Sequence, residues 1–518
     1  MMPWWPLLLN AGIGRRLLHE RQTAASRGGC QWPFPDHDVD TEGGCGQHEL
    51  VCFLVPLPMS SVIDAARVPA AANVSPPAQQ RALLILAGTE AWERFSYYGM
   101  TAILVLYMNG ALLLPDRIGK VLGMVGFRAG LESIFGPLST LALAAQISGY
   151  YTGLVYFTPI IGGWIADRWI GPRKAVALGA ILMSAGHFAM AFDETFLVAL
   201  LLLIIGCGFL KGNIASQVGT LYAPEDLAGR SRGFTIFSIG INVGATAGPL
   251  GCGLLAATYG WHAGFALAGA LMVLGLITYL LGFRLLARAS VTASRPTTET
   301  APLTAREWGT IGALMAIMAV TIFQSIAYYQ LYDVGLIWIE QNVDLDMLGF
   351  RVPAAWFNSI DPFVSIVAVP PLFALWRYQA RHGGEPDELG KIQTGAWLAA
   401  LANILLIVGS SYGARVPLMF PVVCDTLLGI AFLYYWPPLL ALVSRAAPAR
   451  VRATLIGCVY LSLFVSNTTL GILGGFYEQL GATGFWTMDA AIAATGGVLA
   501  MLLRRSPVSR LLAVPGIS

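Results

Sequence analysis

The stretch Glu90-Ala91-Trp92-Glu93-Arg94-Phe95-Ser96-Tyr97-Tyr98-Gly99 lies in an apolar segment, residues 82–107, that is otherwise almost free of charge. A segment of this length and polarity predicts a membrane-spanning helix. Three charges in its middle cost roughly 2.5–3.5 kcal/mol each before any pairing. Because Glu90, Glu93 and Arg94 are spaced i, i+3 and i+4, they project from one helix face. We expect this face to line a watery or protein-lined cavity; the alternative is a structural Glu–Arg pair that only holds two helices together.

The composition is that of a polytopic membrane protein. The 518 residues are 56% hydrophobic and 12% charged, against about 25% charged in soluble proteins. The net charge of +2 carries no information about nucleic acid, and the sequence has no basic run of the kind that binds it, so no nucleic-acid partner is expected. The seven cysteines form no C-x-x-C pair, which argues against a zinc site or a disulfide framework. No phosphate-binding loop is present, so an ATP-driven pump is not indicated and no cofactor is expected.

Residues 1–80 differ from the rest of the chain and are interpreted as an N-terminal extension. Arg15 and Arg16 follow the first apolar run rather than precede it, so a cleaved signal peptide is not predicted. Met59 begins a short alanine-rich lead of the kind that precedes a first spanning helix. We therefore expect translation to start there, with residues 1–58 either disordered or not translated, and we assign them no function.

Twelve apolar segments predict an all-α membrane protein of twelve transmembrane helices in two six-helix bundles. The connection from Asn109 to Ser139 contains too many charges for a span, whereas the polar stretch from Arg284 to Arg306 divides six segments from six. The predicted domains are a bundle over 82–285, a cytoplasmic linker over 286–306 and a bundle over 307–505. The segments are 82–107, 140–166, 172–192, 195–222, 231–256, 261–285, 307–332, 354–376, 392–411, 416–443, 452–476 and 482–503.

The positive residues predict how the chain is oriented in the membrane. Eighteen Lys and Arg residues lie in alternate connections and after the last segment, against five in the connections between them. Cytoplasmic loops are the ones enriched in these residues, so both termini are expected in the cytoplasm. The membrane is expected to be a cell membrane, either inner or plasma. The five are Arg117, Lys120, Arg128, Arg351 and Arg415.

The run Glu-x-x-Glu-Arg-Phe-x-Tyr-Tyr-Gly over residues 90–99 resembles the first-helix signature of the proton-coupled oligopeptide transporters (POT/PTR), a branch of the major facilitator superfamily. The resemblance covers about residues 82–503. It implies a major facilitator fold and proton-driven import of di- and tripeptides or peptide-like solutes by alternating access. It assigns proton coupling to Glu90, Glu93 and Arg94, and substrate binding to Arg94, Tyr97 and Tyr98.

The sequence from Gly162 to Lys174 resembles the superfamily's loop between its second and third helices. Glycines allow two helix ends to approach closely, and an Asp with an Arg/Lys cluster can pair with neighbouring helix ends and dipoles. We expect this charged loop to rearrange during alternating access. The residues assigned to it are Gly163, Asp167, Arg168 and Arg173.

Three more residues of the first half are expected to face the cavity. Lys211 lies within an apolar segment and needs an anionic partner, which is either a substrate carboxylate or Glu90 or Glu93. Asn242 lies in a run that resembles the fifth-helix signature, where Gly240, Gly244 and Gly248 predict close helix packing. Tyr156 matches the family's cavity-lining tyrosine on the second helix.

The second half departs from the family at two positions. The seventh helix is expected to have a glutamate before a glutamine, but Tyr329-Gln330 retains only Gln330. The tenth helix is expected to have a glutamate five residues before a proline, and Phe432 stands there instead. Asp361 replaces an asparagine that faces the substrate amine in the eighth helix. It is either a binding residue or a helix N-cap.

We interpret the chain as a transporter that binds a small-molecule substrate and protons in a lipid bilayer, and we expect a monomer. One alternative is a major facilitator transporter for an amino acid, an organic anion or nitrate, because the two glutamates are missing. Another is a non-transporting membrane sensor on the same fold, although the tail after Arg505 is short for a signalling domain. An enzyme is not predicted, since the spans contain no nucleophile–base or metal-ligand cluster.

Overall fold

The structure is a computed structural model that describes residues 76–223, 226–289, 302–412 and 415–512. The N-terminal extension, with the expected start at Met59, lies almost entirely outside these residues. Residues 290–301 of the predicted linker are outside them as well, so the linker at 286–306 stays a prediction.

Each of the first six predicted segments forms one long helix. The connection after the first helix contains a short helix, α2, instead of a span, as its charges predicted. Five-residue π-helical turns follow the first and third of these seven helices, at Met108–Leu112 and Ala166–Ile170. The helices are α1 (Pro76–Tyr107), α2 (Met124–Phe135), α3 (Thr140–Ile165), α4 (Pro172–Ala189), α5 (Phe196–Thr220), α6 (Leu227–Tyr259) and α7 (Trp261–Ala289).

Helix α2 is short and solvent-exposed. Arg128 donates to Glu132 at 2.8 Å within it, and the backbone N–H of Leu138 donates to the same carboxylate oxygen at 3.1 Å. These two hydrogen bonds lower the pKa of the Glu132 carboxyl. The helix therefore ends in a polar turn that leads the chain into α3.

The second half also follows the predicted segments, with added short elements. A 3₁₀ turn at Gln330–Tyr332 follows α8, and another at Ala354–Ser359 precedes α10. A two-stranded hairpin, β1 (Asp346–Met347) with β2 (Phe350–Arg351), lies between them. The helices are α8 (Ala305–Tyr329), α9 (Val334–Asn342), α10 (Ile360–Val367), α11 (Val369–His382), α12 (Glu388–Ser410), α13 (Met419–Ala446), α14 (Arg452–Gly474), α15 (Tyr477–Arg505) and α16 (Val508–Leu512).

One predicted span is bent. The segment predicted over 354–376 forms a broken helix with a 46° bend between residues 367 and 369. Pro370 and Pro371 lie at the start of α11, where they lack the N–H groups that would continue the hydrogen bonding of α10. In the described part of the chain, eight helices are long and apolar enough to cross a membrane, or nine if this bent pair is one span. The first three segments, among them the charged α1, are not in that set.

The predicted glycine stripe packs α6 against α1. A Cβ added to Gly240 would lie 2.7 Å from the carbonyl oxygen of Ala87, and Gly244 and Gly248 face the carbonyls of Ala91 and Phe95 in the same way. Each glycine is one turn from the next, so the stripe follows α1 for two turns. The packing role predicted for these glycines is therefore confirmed.

The two halves meet on the side of the molecule that holds the connection 108–139. Helix α3 touches α14 through glycines: a Cβ on Gly149 would be 2.6 Å from the carbonyl oxygen of Asn467 and 2.8 Å from the Cα of Gly471. Nearby, the indole N–H of Trp356 donates to the carbonyl of Leu250 at 3.0 Å.

Candidate functional site

The three charges of α1 form one ion-paired cluster. The Nε of Arg94 lies 2.9 Å from Glu90 Oε1 and 2.6 Å from Glu93 Oε2, and the three side chains are at most 4% exposed. All three belong to α1, so the cluster does not hold two helices together. The Nη2 of Arg94 is buried and has no hydrogen-bond partner among the described residues. Part of the guanidinium is thus left to bind a ligand.

Lys211 does not pair with the glutamates of α1. Its Nζ lies 4.2 Å above the ring of Tyr156, a cation–π contact between α5 and α3. Within the residues that the structure describes, no carboxylate oxygen is within 4.0 Å of this amine. Of the two partners that the sequence left open, Glu90 and Glu93 are not used in this conformation.

Of the tyrosines predicted from the first half, Tyr97 and Tyr98 contact each other, and Tyr156 contacts a tyrosine of the second half. The ring of Tyr97 lies 5.1 Å from that of Tyr98, edge-on, and 5.6 Å from the Cζ of Arg94. The hydroxyl of Tyr156 lies 3.4 Å from that of Tyr329 on α8, which is in the second half of the chain. Tyr329 occupies the position where the resemblance predicts a glutamate, so a hydroxyl pair joins the two halves at the depth of Lys211.

Asp361 is held by a tyrosine rather than by the end of its own helix. The hydroxyl of Tyr328 donates to Asp361 Oδ2 at 2.5 Å. Asp361 is in the first turn of α10, but Ser359 is the N-cap residue and neither side chain caps the helix. The second oxygen, Oδ1, has no partner among the described residues. It faces Gly429 on α13, where an added Cβ would be 3.1 Å away.

Gln330 and Asn242 are less engaged. Gln330 is fully buried in the 3₁₀ turn after α8, and neither of its side-chain polar atoms has a partner in the described part of the chain. Asn242 is half-buried on α6, two residues before Gly244, whose Cβ would lie 2.9 Å from the Cβ of Arg94. Because Asn242 is two residues from both Gly240 and Gly244, it does not lie on the face of α6 that packs against α1.

The loop after α3 makes aromatic contacts instead of a charge network. The guanidinium of Arg168 lies 5.3 Å from the ring of Trp164, and that of Arg173 lies 5.7 Å from the ring of Phe283. Asp167 is exposed and forms no ion pair with any described residue. Gly162 makes the close approach to α5, at Gly208, whereas Gly163 has open space around its Cα.

Sequence reasoning missed several residues of the second half. Tyr328 binds Asp361 and stacks on Phe432 at 5.3 Å, and Tyr332 packs against Tyr328 at 5.5 Å. Asp425 is a buried carboxyl on α13 at 1% exposure. The tyrosines gave no signal, because their partners are distant in the sequence. Asp425 did: it is a charge inside the apolar segment 416–443, the same pattern that singled out Lys211.

The described residues hold no group of three or more His, Cys, Asp or Glu side chains that could bind a metal ion. The polar groups that do converge are cations and hydroxyls from the first half and carboxyls and hydroxyls from the second. Such an arrangement can bind a solute with separated opposite charges through charge-assisted hydrogen bonds.

Comparison with known proteins relates this arrangement to one family. The sequence profile of the POT family matches residues 173–305 and 304–472. The peptide transporter YePEPT of Yersinia enterocolitica is 27% identical over 508 residues, covering 82% of this chain and 93% of that one. A di-/tripeptide transporter of Lactococcus lactis is 42% identical over 207 residues, 39% of this chain and 38% of that one.

A solved structure has the same overall architecture. The crystal structure of a mutant of the peptide transporter POT in complex with alafosfalin superposes with a TM-score of 0.71 at 27% identity. The alignment covers 83% of this chain and 95% of that chain. From the family match and this likeness we conclude that the chain belongs to the POT family and has its major facilitator fold.

Proposed function

We propose that the chain is a proton-coupled symporter that imports di- and tripeptides or peptide-like solutes by alternating access. The observation behind this proposal is the division of charge between the halves. Arg94 and Lys211 present cationic groups from the first half, and Asp361 presents a carboxylate oxygen from the second. The relatives named above as peptide transporters support the same substrate class.

A zwitterionic peptide fits this division of charge. Its carboxylate would accept hydrogen bonds from the Nη2 of Arg94 and from Lys211, both of which lack a carboxylate at those atoms in the described structure. Its ammonium group would donate to Oδ1 of Asp361. Since an unpaired buried ammonium is strongly unfavourable, a peptide needs this carboxylate if no tenth-helix glutamate is present.

Proton coupling is assigned to Glu90 and Glu93. Both carboxylates contact Arg94, so a substrate carboxylate that recruits Arg94 takes a countercharge away from them. A proton on one glutamate replaces that countercharge. The exchange of a Glu–Arg pair for a Glu–proton and an Arg–carboxylate pair links proton binding to substrate binding.

The setting proposed for this activity is a cell membrane, inner or plasma, with both termini in the cytoplasm and the protein monomeric. The excess of Lys and Arg in alternate connections supports this orientation. In it, the contacts between α3 and α14 close the extracellular half. The loop with Asp167, Arg168 and Arg173 is then cytoplasmic and takes part in opening and closing.

Uptake into proteoliposomes with an imposed pH gradient tests the proposal. Wild-type protein is expected to accumulate a dipeptide, and Glu90→Gln or Glu93→Gln is expected to abolish that accumulation while keeping some substrate exchange. Full gradient-driven accumulation in both variants would remove the coupling assignment. If the wild type transports no amine-bearing substrate, the peptide assignment and the role of Asp361 are both wrong.

The loss of the two family glutamates favours one second candidate, a transporter of another small solute such as an amino acid, an organic anion or nitrate. Counterflow with a panel of dipeptides, amino acids, organic acids and nitrate separates the two. Exchange of nitrate or an organic acid without any dipeptide would establish the second candidate. A protein with no flux of any of these solutes would fit a membrane sensor.

A further inference from the structure

Asp425 on α13 is a buried carboxyl group outside the set assigned above to substrate and protons. It is 1% exposed, and neither of its oxygens has a hydrogen-bond partner among the described residues. No lysine or arginine of the described chain is at ion-pair distance from it. An ionised carboxylate in this environment would be strongly destabilised, so the group is present as the neutral acid.

The position of Asp425 connects it to the substrate site. Asp425, Gly429 and Phe432 are spaced i, i+4 and i+7, so they share one face of α13. Gly429 faces Asp361 Oδ1, and Phe432 stacks on Tyr328, whose hydroxyl binds Asp361 Oδ2. One helix face thus holds Asp425 one turn from the carboxyl proposed to bind the substrate amine.

Two buried polar atoms in this region have no partner among the described residues. Asp361 Oδ1 and the hydroxyl of Tyr332 are both buried atoms that lack a partner in the described residues. Gly429 contributes no side chain, which allows α10 and α13 to approach closely: an added Cβ would lie 3.0 Å from the Cγ1 of Val364. Asp425 lies one helical turn before Gly429, which faces Asp361 Oδ1.

The surroundings of Asp425 offer no compensating cation. The titratable groups that face it are Asp361 on α10, Tyr332 in the turn after α8, Cys424 on its own helix and, beyond Cys424, Asp489 on α15. Helix α12 presents the carbonyl of Ala402, which accepts a hydrogen bond from Cys424. Two neighbouring carboxyls without a cation cannot both be ionised, so the pair retains a proton.

We propose that Asp425 is a proton-binding residue of the second half, which carries a proton beside Asp361 and supplies a titratable carboxyl in place of those missing at Phe432 and Tyr329. Its role in transport rests on the proposed function. When a substrate ammonium binds Asp361, that carboxylate is stabilised in its ionised form and the proton stays on Asp425. When the substrate leaves and water enters, Asp425 can release the proton.

The first test needs no substrate. Infrared spectra of full-length protein purified in detergent are compared at neutral pH between wild type and Asp425→Asn. The wild type is expected to have a carbonyl band of a protonated carboxyl that Asp425→Asn lacks. Identical spectra in this region would overturn the proposal. If the asparagine variant does not fold, Asp425→Ser, which is neutral and smaller, is measured in its place.

The second test measures the proton-to-peptide ratio in proteoliposomes, from the substrate gradient at which flux reverses under a fixed pH gradient. Asp425→Asn is expected to lower this ratio and to retain counterflow, because asparagine mimics the neutral acid. Asp489→Asn is the matched control: Asp489 is equally buried and lacks partners in the described chain, but it is not placed beside Asp361. An unchanged ratio in Asp425→Asn, or an equal fall in Asp489→Asn, would overturn the proposal.

These tests separate the two proposals. If the wild type transports no peptide but has the carboxyl band that Asp425→Asn lacks, the proton site is supported and the peptide function is rejected. Peptide transport with the same ratio and the same infrared spectrum in both proteins would reject only the proton site.

Discussion

The two halves of the molecule neutralise their buried charges in different ways. In the first half, α1 contains a cation and two carboxylates in contact, Arg94 with Glu90 and Glu93. In the second half, the carboxyls of Asp361 and Asp425 are next to tyrosines and a glycine, and no described cation is close to them. The first half is therefore able to exchange one ionic partner for another, and the second half needs a proton or an incoming cation.

This difference bears on how a substrate would be oriented between the two halves. In the proposed site, a solute with a carboxylate and an ammonium group would have its negative end on α1 and α5 and its positive end on α10. The hydroxyls of Tyr156 and Tyr329 meet between these two ends. The second half supplies carboxyls at positions different from those expected of the family, so this proposed orientation would depend on a different set of side chains.

The largest effect is expected when the cation of the first half is removed. Arg94→Met leaves Glu90 and Glu93 buried without a countercharge, which costs about 3–5 kcal/mol of stability, and uptake should be abolished. Thermal unfolding of the purified protein and proteoliposome uptake are the measurements. The matched control combines Arg94→Met with Glu90→Gln and Glu93→Gln, which should restore stability without restoring uptake. Wild-type stability in Arg94→Met alone would mean that the pairing in α1 is not needed.

The proposed orientation of the substrate is tested by one variant in each half of the molecule. Lys211→Ala should weaken binding of a dipeptide more than binding of its C-terminal amide, because the amide has no carboxylate to lose. Asp361→Asn should weaken binding of a free dipeptide and leave any binding of the N-acetylated dipeptide unchanged. A hydrogen bond to a charged group contributes about 1.5–3 kcal/mol, so the selective losses are roughly 10- to 150-fold in affinity.

Competition binding to the purified protein measures both variants with the same ligands. Equal losses for the dipeptide and its amide in Lys211→Ala would give that lysine another role, for example holding the ring of Tyr156. Full transport in Asp361→Asn would mean that Asp361 is not the partner of the substrate amine.

Much of the fold could be predicted because it depends on local pattern. The apolar runs predicted the long helices, of which eight in the described part of the chain, or nine with the bent pair, are long and apolar enough to cross a membrane. The spacing of Glu90, Glu93 and Arg94 predicted the shared face of α1. The bend after Val367 was missed because an apolar segment with two prolines can be straight or broken, and its neighbours decide which.

The site of the second half could be predicted only in part. Asp361 and Gln330 were found because they lie at positions that the resemblance to the family assigns to the eighth and seventh helices. The hydrogen bond from Tyr328 and the face shared by Asp425 and Gly429 depend on how α8, α10 and α13 pack, which the sequence does not contain. A tyrosine in an apolar helix is too common to single out.

The contact between the halves is tested by a glycine pair on a single helix. A Cβ on Gly471 would lie 2.7 Å from the carbonyl oxygen of Ala145 and 3.0 Å from the Cα of Gly149, so Gly471→Ala must separate α14 from α3. Such overpacking costs about 1–3 kcal/mol and should shift the protein away from the conformation described here. Gly457, on the same helix, has no heavy atom of the described structure within 4 Å, apart from its helix neighbours, and Gly457→Ala is the control.

Distance measurements between spin labels on α2 and on the β1–β2 hairpin detect this separation. Gly471→Ala should lengthen the distance and lower uptake, whereas Gly457→Ala should change neither. Equal behaviour of the two variants would show that the glycine contact between α3 and α14 does not hold the two halves together.

The smallest effect is expected at the hydroxyl pair between the halves. Tyr329→Phe keeps the ring and removes only the group that lies 3.4 Å from the hydroxyl of Tyr156. A neutral hydrogen bond contributes about 0.5–1.5 kcal/mol, and this one is long, so we expect a change of a few-fold in dipeptide affinity. Tyr156→Phe removes the same bond but retains the ring beneath Lys211, so it should have the same effect as Tyr329→Phe. The double variant should then be no weaker than either single one. Additive losses would mean that each hydroxyl binds the substrate by itself and that the two halves are not joined through this pair.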